Sequence, residues 1–272
     1  MLNCRINIFQ ESSTANSIGS QSTIDRKSSV EDSEIGSQCT IKGSSTEISG
    51  SHVGNQTDVI ESFVQKSQLG NQCSILKGGR VIRSELGNQV TVSGNGKVIG
   101  SKTGNQCTVK GEVRNGSELK NQVTVNGVVI KSTIGNASTI DGKVTNSEIG
   151  SAVDVDTDST VDGATVGDRS TIKASTLSLK SATGVSCFVL NATINKNVRL
   201  GDNVVVGVGA VLEQGSKAGD DVCIEDGARL KQGKIVKARG MVDGKGVVSP
   251  PPGNANQLYL YTKGKCKLGK KS

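Results

Sequence analysis

The sequence predicts an all-β solenoid, a single-stranded parallel β-helix of about 13 coils of about 17 residues. Three observations carry this. First, the 272 residues include 35 Gly, 3 Phe, 2 Tyr and no Trp; 33% are hydrophobic, too little bulk for an ordinary globular core. Second, an anchor residue followed by Gly and a small polar residue returns at Ile18, Ile35, Val53, Leu69, Leu86, Thr103, Leu119, Ile134, Ile149, Val166, Thr183, Leu200 and Ala218, in steps of 15 to 18 residues. Third, the position six places after each anchor, from Ile24, Ile41 and Val59 through to Ile224, is Ile or Val in all thirteen coils. A disordered chain has no reason to keep such a column.

Taken in order, residues 1–17 are expected to form an N-terminal cap, with Leu2, Ile6, Ile8 and Phe9 covering the first coil. Residues 18–246 form the β-helix. Four places after each anchor stands a small or medium residue (Ser22, Cys39, Thr57, Cys73, Val90, Cys107), so the anchor, this residue and the Ile/Val column point inward together where two short strands meet at a corner. The Gly after the anchor, replaced only by Lys120, suits a corner that needs positive φ or close backbone approach. Each coil is then three short strands, and stacking at a rise of ~4.8 Å makes a continuous core from a few side chains per coil. Residues 247–272 are a Pro-containing, Lys-rich C-terminal cap or tail. Pro250, Pro251 and Pro252 cannot continue a ladder, and Leu258, Tyr259, Leu260 and Tyr261 suit a cap over the open end.

The aliphatic-Gly-x-x-small-x phrase, clearest in Leu200-Gly201-Asp202-Asn203-Val204-Val205-Val206-Gly207, resembles the hexapeptide repeat of left-handed parallel β-helices over residues 18 to about 245. The left hand is implied by that resemblance, against the general right-handed rule for crossovers. The stretch from Ile24 to Lys42, with Ser-x-Ile/Leu-Gly recurring at Ser67, Ser84, Ser132 and Ser147, is similar to the C-terminal β-helix of the gamma and epsilon subunits of translation initiation factor two B. Similar helices follow the sugar-nucleotide pyrophosphorylases. In those proteins a nucleotidyltransferase-like domain precedes the helix, and the exchange activity of the epsilon subunit lies in a separate helical domain. Here the repeat starts almost at the first residue, so the resemblance implies a scaffold or assembly role.

Acyltransferases of the resembled fold use a His at a subunit boundary as general base, which makes His52, in Ser51-His52-Val53-Gly54, the catalytic candidate, with Ser51 and Glu61 as nominal partners. It is the single His of the chain, which excludes a three-His metal centre within one copy. The same slot holds Gln68, Glu85 and Lys102 in nearby coils, so an exposed structural position explains it too. Cys39, Cys73 and Cys107 share one inward slot in alternate coils, about 10 Å apart, too far for a disulfide, and read as core filler. Seven Cys without a CxxC pair fit a reducing compartment. Columns of Asn (Asn55, Asn71, Asn88, Asn105) and Gln (Gln21, Gln38, Gln56, Gln72) stack at a corner as amide ladders. Gly207-Val208-Gly209 lacks the strand-to-helix setting of a phosphate loop.

An outward column reads Thr23, Thr40, Asp58, Ser74, Thr91, Thr108, Thr124, Thr139, Asp154 and Thr171, then turns apolar at Phe188, Val205 and Cys223. Those three residues are read as an interaction patch, or as a stripe covered by the chain's own C-terminal segment. The net charge of +7 is concentrated late: from Arg229 onward eleven Lys or Arg face one acid, Asp243.

The function expected is therefore a non-catalytic scaffold or protein-interaction module, not an enzyme, with no cofactor and no metal. Its partner would be another protein or further copies of itself, and the Lys-rich tail would touch nucleic acid only weakly and in a salt-sensitive way. No membrane partner is expected, since no run approaches the roughly 20 apolar residues of a span and the first residues do not read as a leader, which points to the cytoplasm. One alternative is a hexapeptide-repeat acyl- or nucleotidyltransferase relative working as a trimer around His52. A second is a surface-binding β-helix presenting the Thr rank to ice or mineral.

Overall fold

The computed structural model describes residues 16–254 and 256–270. The cap expected from Leu2, Ile6, Ile8 and Phe9 lies outside these. The chain divides into two compact units, Met1–Lys131 and Ser132–Ser272. Each is a left-handed parallel β-helix, and the chain holds about 13 coils of about 17 residues. The described residues contain no helix, hence none long and apolar enough to cross a membrane.

In the first unit, short parallel strands stack into three sheets. The first sheet runs from Ser17–Ile18 to Glu118–Leu119, the second from Thr23–Ile24 to Thr124–Val125, and the third from Ser29–Glu31 to Val128–Ile130. Register follows the repeat: Ile35 pairs with Val53, Val53 with Leu69 and Leu69 with Leu86 in the first sheet, and Ile41 with Val59 in the second. The third sheet supplies a further inward column, Val30, Ile48, Val64, Val81, Val98, Val113 and Val129, all buried. Alternation does the sorting, because in a strand such as Asp58–Ile60 only the central residue faces inward.

The corners divide their tasks differently from the sequence expectation. The repeated Gly is needed for close approach: a Cβ on Gly70 would lie 2.6 Å from the Gly87 carbonyl oxygen of the next coil. Positive φ falls instead on the Gln column, with Gln56 at 55° and Gln72 at 58°. Each of these Gln side chains donates through Nε2 to Oε1 of the Gln one coil earlier, at 3.0–3.2 Å from Gln38 to Gln122. The Asn column works mainly on the backbone, as where Asn71 Oδ1 accepts the Asn55 N–H at 2.7 Å and Asn88 Oδ1 accepts the Asn71 N–H at 2.8 Å. At another corner Ser51, Ser67 and Ser84 are buried, and each hydroxyl accepts an N–H from the next coil at 3.2–3.3 Å. These interior Ser hydroxyls are thus paired along the stacking direction, whereas Thr103 Oγ1 is buried without a hydrogen-bond partner.

In the second unit the first sheet runs from Thr133–Ile134 to Ile235–Val236, the second from Thr139–Ile140 to Met241–Val242, and the third from Lys143–Thr145 to Arg229–Leu230. A last strand, Val248–Ser249, pairs antiparallel with Met241–Val242, reached through a turn in which the Asp243 carboxylate accepts the Lys245 and Val247 N–H groups. This strand, not the tyrosine segment, closes the second sheet. Gln257–Thr262 and Lys265–Lys270 form an antiparallel hairpin around Lys263 and Gly264, both at positive φ.

That hairpin lies against the strand Cys223–Ile224. Cys266 is disulfide-bonded to Cys223. The Glu225 carboxylate, 6% exposed, accepts the Cys266 N–H at 2.9 Å, the Gly244 N–H at 3.0 Å and the Lys265 ammonium at 3.0 Å. Tyr261 donates its hydroxyl to Asp226. Burial raises the Glu225 pKa and the three donors outweigh it, leaving the carboxyl below its ordinary value. Desolvation, reinforced by the Asp226 hydrogen bond and charge, pushes the Tyr261 phenol up to about 12. The hairpin is therefore a side clamp, where the sequence suggested a lid over the open end.

Candidate active site

The outward column of the first sheet in the first unit reads Ser17, Glu34, His52, Gln68, Glu85, Lys102, Glu118 in register. Long polar side chains on adjacent strands stand close enough to pair. Lys102 Nζ lies 2.8 Å from Glu85, and the Glu85 hydrogen bond and charge hold its pKa above the ordinary value. Lys120 reaches Glu118 at 2.5 Å.

His52 belongs to this row and adds something to it. Its Nδ1 lies 3.0 Å from Glu34 Oε2, one strand away, with side chains 54% and 64% exposed respectively. A proton on Nδ1 is the one this carboxylate can accept, which leaves Nε2 as the ring nitrogen outside the contact. The imidazole borders a groove of about 580 Å³ whose walls include Gln68, Glu85, Lys102, Glu118 and Lys120. On its other side is a depression of about 380 Å³ that includes Glu34, Lys66 and Gln68.

The partners named from the sequence do not serve. Ser51 is buried, donates to the Ser49 carbonyl at 2.8 Å and belongs to the interior Ser ladder. Glu61 sits at the corner after Ile60, on leaving the second sheet. The residue in contact with His52, Glu34, stands one place before an anchor, so the anchor pattern does not single it out. Its signal was in plain view, an acid 18 residues upstream in the same column as His52.

The proposed interaction patch is divided by the structure. Phe188 is 47% exposed and pairs in register with the half-buried Val205, but Cys223 is 1% exposed. Cys223 leaves the patch because the hairpin covers it and Cys266 bonds its sulfur. The expectation that the Cys content fits a reducing compartment meets the same disulfide. Cys39, Cys73 and Cys107 are free and buried, as expected of core filler. In the Gly207–Gly209 corner the Val208 N–H donates to Asp226 at 2.8 Å. Of the Lys of the tail, Lys263, Lys267 and Lys270 are exposed on the hairpin, and Lys265 turns its ammonium to the buried Glu225.

No protein-family model matches the chain and no curated protein does. Solved structures do resemble it. The acetyltransferase domain of PglB from Neisseria gonorrhoeae is 19% identical over 45% of this chain and 54% of that one, with a TM-score of 0.31. The UDP-N-acetylglucosamine O-acyltransferase of Moraxella catarrhalis is 14% identical over 66% of this chain and 65% of that one, at 0.37. The UDP-N-acetylglucosamine acyltransferase of Campylobacter jejuni is 15% identical over 82% and 71%, at 0.19. The chain spans less than two thirds of the length of the first two. These solved structures are hexapeptide-repeat β-helix acyltransferases, and the fold of this chain rests on its own strands and register. The expectation of a non-enzyme is corrected by this finding, since the solved structures it resembles are acetyl- and acyltransferases, and the initiation-factor likeness is not among what they show.

Proposed function

We propose that the chain is an acyltransferase that uses His52 as general base, oriented by Glu34. The observation that carries this reading is the Nδ1–carboxylate contact of 3.0 Å on a ring bordering an open groove. In the proposed step Nε2 takes the proton of an acceptor hydroxyl or amine as it attacks the carbonyl of an activated acyl donor. Glu34 steadies the imidazolium that forms, and the proton then goes to the leaving group. Both side chains are more than half exposed, so water has to be excluded by something else. A homotrimer that sets a neighbouring copy against this face is the assembly proposed, with Phe188 and Val205 as contact residues elsewhere on the chain.

The test is thiol release from acetyl-CoA in the presence of amino-sugar acceptors, with light scattering on the same preparation. His52→Ala should lower kcat by about 10²–10⁴-fold with KM little changed. Glu34→Gln should cost less and alter the pH profile of kcat/KM. Thiol release that His52→Ala leaves untouched would remove the proposal.

A further inference from the structure

In the second unit the outward column of that unit's own first sheet has a different character. It reads Thr165, Ala182, Arg199, Lys217 in register, two cations side by side on adjacent parallel strands. Like charges directly opposed on a sheet repel. In the first unit the corresponding column sets Lys102 between Glu85 and Glu118, and Lys102 and the corner residue Lys120 are paired with these acids. Among the described residues, Arg199, Lys217 and the nearby corner residue Lys180 have no ion-pair partner, and all three are exposed.

Lys180 and Arg199 border a depression of about 340 Å³ with Thr165, Ser181, Ala182 and Asn197. Ala182, set between Thr165 and Arg199 in the column, leaves the space. No carboxylate lines it, whereas the grooves around His52 include Glu34, Glu85 or Glu118. The acids nearest along the chain are engaged with backbone: Asp202 Oδ1 accepts the Val185 N–H at 2.8 Å and Asp220 Oδ1 accepts the Asp202 N–H at 2.9 Å.

We infer that this depression binds a tetrahedral oxyanion, a phosphate-type dianion, with Arg199 as its two-pronged donor and Lys180 and Lys217 as flanking point charges. A guanidinium presents two parallel N–H groups to such an anion, and an ammonium supplies charge without that geometry. Asn197 and Thr165 add neutral donors at the rim. The inference is independent of the role of His52, which lies in the other unit.

Calorimetric titration of the full chain with inorganic phosphate, at ionic strength held constant with chloride, tests it. One saturable site per chain is expected. Arg199→Gln and Lys180→Gln should each weaken binding at least tenfold, Arg199→Lys should restore part of the loss, and Lys263→Gln on the hairpin should leave binding unchanged. Melting curves of these surface variants serve as the check on folding. Glycerol 3-phosphate in a parallel titration separates the sources: tenfold tighter binding than phosphate means a phosphoryl group on an organic carrier, and equal binding means the free ion. Binding that does not saturate, or that Arg199→Gln leaves unchanged, overturns the site.

Discussion

Replacing Gly70 with alanine sets close approach against positive φ as the reason for the repeated glycine. The added Cβ would stand 2.6 Å from the Gly87 carbonyl oxygen, 2.7 Å from its carbon and 2.8 Å from Asn88 Oδ1. Ordinary contact begins at about 3.4 Å, so the two coils must part by about 0.8 Å at this corner. That opens the Gly70 N–H bond to the Leu86 carbonyl, now 2.9 Å, and the Asn71 N–H bond to Asn88 Oδ1, now 2.8 Å, past useful length. Two lost hydrogen bonds at about 1 kcal/mol each, plus at least about 1 kcal/mol of packing strain, come to about 3 kcal/mol. Hydrogen exchange of the amides in the coils on either side should then accelerate about a hundredfold. Gln72→Gly is the matched control. It relieves a positive φ of 58° and forfeits two exposed amide bonds, of 3.1 and 3.0 Å, effects that cancel to within about 1 kcal/mol. Equal exchange in the two variants, or amides in Gly70→Ala within threefold of the parent, would refute the reasoning.

Burial pushes the thiols of Cys39, Cys73 and Cys107 up and that of Cys187 to about 11, so iodoacetamide at pH 8 should label none of the four until denaturant is added. Cys266→Ser should make the hairpin the first site of proteolytic cleavage while the exchange protection of the coils stays as it was. In that same variant the depressed Glu225 carboxyl gives a pH signature. Its contribution is present above the ordinary carboxyl value and is lost as pH falls through the lower folded value, so hairpin docking, followed by NMR, should hold at pH 7 and weaken progressively once the pH drops below that ordinary value.

Of the inward columns carried by the strands of the three sheets, two were legible in the sequence because the distance from anchor to Ile/Val column is six residues in every coil, as in Leu69 to Ile75 and Leu86 to Val92. The third was hidden by variable spacing. From the second column to the third the count is seven residues between Ile41 and Ile48, five between Val59 and Val64, and four between Val109 and Val113. All but a residue of the variation in coil length sits at that one corner. Positive φ on Gln was not legible, since glycine is the residue expected there and the side-chain ladder that offsets its strain exists only once coils are stacked. Glu34 was readable in principle, being one coil from His52 in a fixed column. The bond between Cys223 and Cys266 was not, because it joins the repeat to a segment outside it, 43 residues on, and no periodicity relates the two.

The closing strand Val248–Ser249 has a consequence for growth. A stack of parallel strands is a template, and the last rung of such a stack is as ready to receive a copy of its neighbour as any rung before it. Here the final rung runs the other way. Whatever approaches from beyond meets a reversed pattern of donors and acceptors only two residues long, followed by Pro250, Pro251 and Pro252, which have no N–H to offer. At this rung the sequence writes its own chain terminator, and polymerisation along the second sheet is stopped by direction as well as by length.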